Sequence, residues 1–414
     1  MSVAEQEYDS FEAFDATAGA GSVRDPYPTF ARLRAESPLW EGSLQKAFDM
    51  PGLLDMSGGP REGVRQFVAL GYDAVQQVLL DGQTFSSSGY AASMGLVMGH
   101  SILEMDEPEH RAYRSLIQQA FTLKAMERWE RDIVAPIIHR MIDAFVERGS
   151  ADLVREFSFP FPIHVIAAML GLPEQDLPVF HRRAVDLIGI AGNIERGFAA
   201  SQALRDYFAI VLEERRRDPR EDVISDLARA ELEGQRLTDE EIFAFLRLLL
   251  PAGAETTYRS SSNLLFGLLT STDQLDALRA DRSLMRPAIE EGLRWEPPLT
   301  GIARTAMRDV EVCGVQVPAG SPISVCMGAA NRDPARFVDP DRFDLFRDTK
   351  PHMAFATGPH TCLGLHLARM ETRCALNALF DRLPNLRLDP AAEDVHVTGL
   401  TFRAPRALPV LFDA

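Results

Sequence analysis

The decapeptide FATGPHTCLG, Phe355 to Gly364, sets Cys362 between Gly358 and Gly364, with His360 two residues ahead of it. A disulfide needs no such glycines, and a thiol packed in a core needs no histidine beside it. Glycine adopts turns closed to other residues, so backbone N–H groups can close on a sulfur and keep it a thiolate. The residues that follow, LGLHLARMETRCAL, read as a helix whose positive end faces that sulfur. Taken alone, the loop fits a metal-ligating thiolate, and it also fits an inert buried cysteine.

The remaining cysteines, Cys313, Cys326 and Cys374, form no CxxC pair and no disulfide framework, which points to a reducing compartment. The 414 residues are 46% hydrophobic and 25% charged, enough apolar material for a sizeable globular core. A formal charge of −17 argues against nucleic acid or an anionic membrane as the main partner. The N-terminus lacks the basic start and apolar core of a signal peptide, and no apolar run of about 18 residues is present to span a bilayer. The expectation is a cytoplasmic protein.

Helical patterns dominate the chain. TDEEIFAFLRLLLPAGAETTYRSSSNLLFGLLTS is the longest, opened by a Thr238 cap and acids in its first turn. Pro251 lacks an N–H and Gly253 weakens the same turn, so a local kink or widening is expected there. DVEVCGVQVPAGSPISV switches to period two and predicts a hairpin turning at Cys313-Gly314, then a further short strand. The segment from Gly42 to Arg61 reads as an irregular loop. The fold class expected is mainly α with a minor β region: residues 1–25 an acidic, flexible extension, residues 26–414 one domain.

Three further patterns stand along the chain. EHRAYR places His110 and Arg114 four apart on one helical face. AGAETT supplies Ala252, Gly253, Glu255 and Thr256. EEGLRWEPP carries Glu291 and Arg294, and DPDRF supplies Arg342. Each has an ordinary alternative: Glu291 and Arg294 also fit a solvated i,i+3 pair worth about 0.2–0.5 kcal/mol, and His110, Arg114, Glu255 and Thr256 also fit helix-surface polarity. The four motifs in this order and spacing nevertheless resemble the cytochrome P-450 family, the haem-thiolate monooxygenases, from about Pro26 to the C-terminus. Phe355, Gly358, His360, Cys362 and Gly364 match the family's cysteine signature; Ala356 departs from it, standing where glycine is common.

The resemblance implies a P-450 fold with haem b between the long helix and the Cys362 loop, and Cys362 as the iron ligand. It implies Ala252 and Gly253 against the haem, Glu255 and Thr256 delivering protons, and His110, Arg114, Arg304 and His360 around the propionates. His352 lies close in sequence and is not placed at the haem. Glu291, Arg294 and Arg342 would form a structural triad. By the same resemblance Met94, Val97, Leu249, Leu299, Ile302, Leu400 and Thr401 line the pocket, whose apolar character suits a neutral hydrophobic molecule: a terpenoid, steroid, aromatic or fatty compound. Electrons would come from a ferredoxin with its reductase, docking near Arg111, Lys124, Arg369 and Arg373, on a monomer. The alternatives are a peroxide-driven haem-thiolate enzyme, a haem-based sensor, and a structural zinc protein using His360, Cys362 and His366.

Overall fold

The computed structural model describes residues 11–12, 23–50, 63–188, 193–348 and 350–414. The expected flexible extension therefore lies mostly outside the described residues, as does most of the second half of the Gly42–Arg61 loop. The two described residues of that extension are anchored. Phe11 is buried edge-on against Phe159 at 5.0 Å, and Glu12 pairs with Arg155 and, at 2.8 Å, with Arg406.

Helices carry the fold. Those used below are α1 (Tyr27–Glu36), α2 (Tyr72–Leu80), α3 (Glu109–Ile117), α4 (Phe161–Met169), α5 (Leu177–Ile188), α6 (Ile194–Arg217), α7 (Asp239–Thr270), α8 (Met285–Trp295) and α9 (Leu365–Arg382). The long helix α7 begins with a full capping box. The Thr238 side chain accepts from the Glu241 N–H, and the Glu241 carboxylate accepts from the Thr238 N–H at 2.6 Å. It runs unbroken as α-helix through Pro251, so the expected opened turn is not seen. Most of its residues are buried, because helices surround it and its core cluster joins α4, α6, α8 and α9.

The minor sheet follows the order β1-β2-β7-β4-β3, with β1 Leu39–Glu41, β2 Phe67–Ala69, β3 Phe85–Ser86, β4 Ile302–Ala306 and β7 Pro322–Val325. β7 runs parallel to β2 and antiparallel to β4. The expected hairpin is present as β5 (Val310–Val312) and β6 (Val315–Val317), with Val310 opposite Val317. Its turn holds both Cys313 and Gly314 at positive φ, 46° and 83°, the pairing a two-residue hairpin needs.

Behind the site, α8 is locked to the loop that follows the sheet. Arg294 donates twice to Glu291, both at 2.7 Å, and also to the carbonyls of Asn331 and Pro340. Both side chains are buried, which excludes the solvated-pair alternative. The third arginine is not Arg342. Its side chain is exposed and it contributes only its carbonyl, at 3.1 Å from Arg294 Nη2. Arg347 completes the network, donating to Glu291 Oε1 at 3.2 Å. Arg347 also donates to the carbonyl of Asp339, which stands at φ 45°, at 3.0 Å.

Candidate active site

The Cys362 loop is closed by its own backbone. The Cys362 N–H donates to the Phe355 carbonyl at 2.9 Å, and Thr361 donates to Gly358 through both N–H and hydroxyl. Gly358 has φ 80°, and a Cβ there would overlap the carbonyl oxygen of Leu79 at the end of α2. Only glycine fits. Ala356 stands at φ 55°, in the left-handed region, so its methyl group strains the turn and leaves the loop in place.

Cys362 retains free surface although it lies deep in the protein. Burial pushes its thiol up from the ordinary value; the Gly364 N–H, then the charges of Arg114 and Arg369, pull it back. A Cβ added to Gly364 would meet only the Cys362 sulfur, at 4.0 Å, so the glycine leaves open space beside the sulfur.

A group of basic side chains gathers nearby. The His110 and His360 rings lie 4.0 Å apart, His360 Nε2 sits 3.2 Å from Ser87 Oγ, and His110 Nδ1 sits 3.4 Å from Glu107. Burial, reinforced by Arg304, His110 and Arg114, pushes His360 down to about 3. His110 is lowered mainly by burial. Arg304 is buried, and its Nη1 donates to the carbonyl of its neighbour Ala303 at 2.7 Å. Neither Arg114 nor Arg304 forms a salt bridge among the described residues, and burial lowers both. His110 Nε2 is buried without a partner. Buried cations without counter-ions cost several kcal/mol unless an anion meets them. The carboxylates of haem b fit this demand, and the Cys362 sulfur lies within the field of Arg114.

On α7, Ala252 is exposed and Gly253 and Thr256 partly so, in the middle of an otherwise buried helix. Thr256 Oγ1 donates to the Ala252 carbonyl at 2.8 Å. Gly253 serves packing: a Cβ there would stand 2.7 Å from Ile166 Cδ1 of α4. Glu255 is fully buried with Oε2 unpartnered. Burial raises its carboxyl to about 7, against the field of Arg259 one turn on. Thr257 points elsewhere, hydrogen-bonded to Glu371 of α9, whose carboxyl burial raises to about 8. Sequence reading missed Arg259 and Glu371. The i,i+4 spacing from Glu255 was a visible sign for the first; the second had none.

Of the pocket candidates, Met94, Leu249, Leu299, Ile302 and Thr401 are partly exposed. Two are not. Leu400 turns the other way and packs with Tyr27, Phe30 and Leu33 of α1. Val97 is fully buried, and its carbonyl accepts from Ser201 of α6, which in turn accepts from Arg247 at 2.9 Å. The presumed docking cations are largely neutralised: Arg111 by Glu107, Arg369 by Glu290 and Arg373 by Glu130. His352 pairs with Glu290 at 3.1 Å. Among the described residues no helix is long and apolar enough to cross a membrane, and no cluster of three or more metal-binding side chains occurs, which removes the support for a zinc site.

Residues 165–385 match the family model described as Cytochrome P450. The chain is 36% identical over 402 residues to the cytochrome P450 monooxygenase PikC of Streptomyces venezuelae, covering 95% of this chain and 92% of that one. It is 33% identical to the biotin biosynthesis cytochrome P450 of Bacillus subtilis, over 96% of this chain and 99% of the other. The crystal structure of CYP109E1 from Bacillus megaterium in complex with testosterone superposes with a TM-score of 0.83 at 30% identity. It covers 94% of this chain and all of that one.

Proposed function

Because the chain belongs to the cytochrome P450 family of haem monooxygenases, we propose that it hydroxylates a neutral hydrophobic small molecule with electrons delivered by a ferredoxin and its reductase. Haem b, when bound, supplies the iron at which dioxygen is reduced and split, one oxygen atom entering the substrate and the other leaving as water. The observation that carries the reading is the joint one of Cys362, which keeps free surface in a loop closed by its own backbone, and of half-buried Arg114 and buried Arg304, neither of which forms a salt bridge among the described residues.

Cys362 would hold the iron, its negative charge supported by the Gly364 N–H, Arg114 and Arg369. His110, Arg114, Arg304 and His360 would hold the haem propionates. His360, lowered by burial and by its cationic neighbours, offers the site a hydrogen-bonding ring. Glu255, with a carboxyl near 7, both holds and releases a proton at neutral pH, the condition for efficient proton delivery. Thr256 carries that proton onward by exchanging its bond to the Ala252 carbonyl for one into the cavity. The acid–threonine pair supports dioxygen activation over the peroxide-driven alternative.

Met94, Leu249, Leu299, Ile302 and Thr401 offer a nearly uncharged lining, which supports a neutral apolar substrate. The testosterone bound by CYP109E1 makes a steroid the first compound to try. For the electron donor, Lys124 beside the 79%-exposed Leu123 gives a mixed basic and apolar contact surface. The test is a reduced, carbon-monoxide-treated spectrum of the wild type and Cys362→Ala, followed by product analysis with a ferredoxin system and with hydrogen peroxide. A thiolate-type band lost only in the variant, with product only from the ferredoxin system, is expected. A thiolate band that survives in Cys362→Ala refutes the ligand, and turnover by peroxide alone refutes the ferredoxin route.

A further inference from the structure

Three residues stand together beside the Cys362 loop: Glu290 of α8, Arg369 of α9 and His352. Arg369 grips Glu290 with both edges of its fork, Nε to Oε1 at 2.6 Å and Nη2 to Oε2 at 2.8 Å. The same guanidinium lies 4.6 Å from the centre of the Phe355 ring. Phe355 is tied to the ligand, since its carbonyl accepts from the Cys362 N–H at 2.9 Å. On the other side the Ala354 N–H donates to His352 Nδ1 at 3.2 Å, which leaves the proton on Nε2, 3.1 Å from Glu290 Oε2. Burial works to raise the Glu290 carboxyl, but Arg369 and His352 outweigh it and hold it down at about 2. The pair is therefore fully charged under any working condition.

We propose that Arg369 is a positioning residue whose charge, set against the Phe355–Cys362 loop and partly cancelled by Glu290, tunes the electron affinity of the iron held by Cys362. The inference rests on the reading of Cys362 as iron ligand. A cation beside the sulfur stabilises the thiolate and the more negative, one-electron-reduced state of the centre; the electron comes from the external donor. Glu290 opposes this with a negative charge while its bidentate bonds keep the guanidinium on the ring. Removing either charge must move the reduction potential in opposite directions. A pair that merely holds the fold together gives the same direction for both, because either substitution loosens the same contact.

The experiment is a potentiometric titration of the haem-loaded wild type, Glu290→Gln, Arg369→Gln, Arg369→Lys and the double glutamine variant, with reduced carbon monoxide spectra of each. Glu290→Gln raises the potential and Arg369→Gln lowers it, each by about a tenfold change in the reduced-to-oxidised ratio at fixed poise, equivalent to about 59 mV for a one-electron couple. Arg369→Lys and the double variant stay near the wild type. Should Arg369→Gln lose its haem, Glu290→Gln and Arg369→Lys decide the matter by the same criteria. Shifts of one sign in both single variants, or no shift with the thiolate-type band intact, overturn the proposal and leave the ligand assignment standing. Absence of that band from the wild type itself overturns the ligand assignment, and this inference with it.

Discussion

Replacing Glu255 by glutamine removes a buried carboxyl whose charging should weaken the fold as pH rises. Its folded-state value is raised to about 7 from an ordinary 4.5. The unfolded chain therefore gives up this proton first, and stability is full below about pH 4.5 and lost as pH rises through 7. At about 1.36 kcal/mol per pKa unit, the wild type loses about 2–3 kcal/mol from this group between pH 5 and pH 8. Glutamine keeps the shape and cannot ionise, so Glu255→Gln is spared the loss. For a chain of this length, about 2.1 cal/mol/K per residue of unfolding entropy converts that loss into a Tm difference of about 2–3 °C. The assay is thermal unfolding of the haem-loaded proteins across that range. Glu371, raised to about 8, keeps both proteins pH-dependent, and the difference between them isolates Glu255. A variant-minus-wild-type difference that stays flat from pH 5 to pH 8, or shrinks, refutes the reasoning.

Three other outcomes follow from the geometry. Arg347→Ala costs about 1.5–3 kcal/mol in chemical denaturation by taking a charged hydrogen bond from buried Glu291, whereas Arg342→Ala stays within about 0.5 kcal/mol; the reverse ranking would restore Arg342 to the network. Ala356→Gly relieves a left-handed alanine worth about 1–2 kcal/mol, offset by about 0.4–1 kcal/mol of unfolded-chain entropy, and so raises stability slightly with the thiolate band unchanged; a lower midpoint contradicts the strain. Thr256→Ala diverts electrons into hydrogen peroxide, measured as product per reductant consumed, while Thr257→Ala strips Glu371 of its donor and lowers stability more than coupling. Uncoupling in Thr257→Ala alone would exchange the two roles.

Features set by neighbouring residues were legible in the sequence. The Cys313-Gly314 hairpin, the Thr238 cap and the glycine at Gly358 follow from short-range backbone geometry, and i,i+3 spacing was enough to put Glu291 beside Arg294. Helix periodicity likewise separated Thr256 from Thr257, although not the carboxyl that Thr257 would meet. What tertiary structure alone decided is which distant charge answers which. Glu291 lies within reach of two arginines in sequence terms, and the folded loop brings the side chain of Arg347, not that of Arg342, to it. The sequence sets Arg369 among exposed docking cations; the packing of α8 against α9 gives it Glu290 and the Phe355 ring. Leu400 reads as a pocket residue until β1, β2 and α1 offer it an apolar home on the opposite side. The physical reason is common to all three. A turn or cap is chosen by torsions within a few residues, while a buried charge or an apolar side chain takes whichever partner the finished packing brings within a few ångströms, at any separation along the chain.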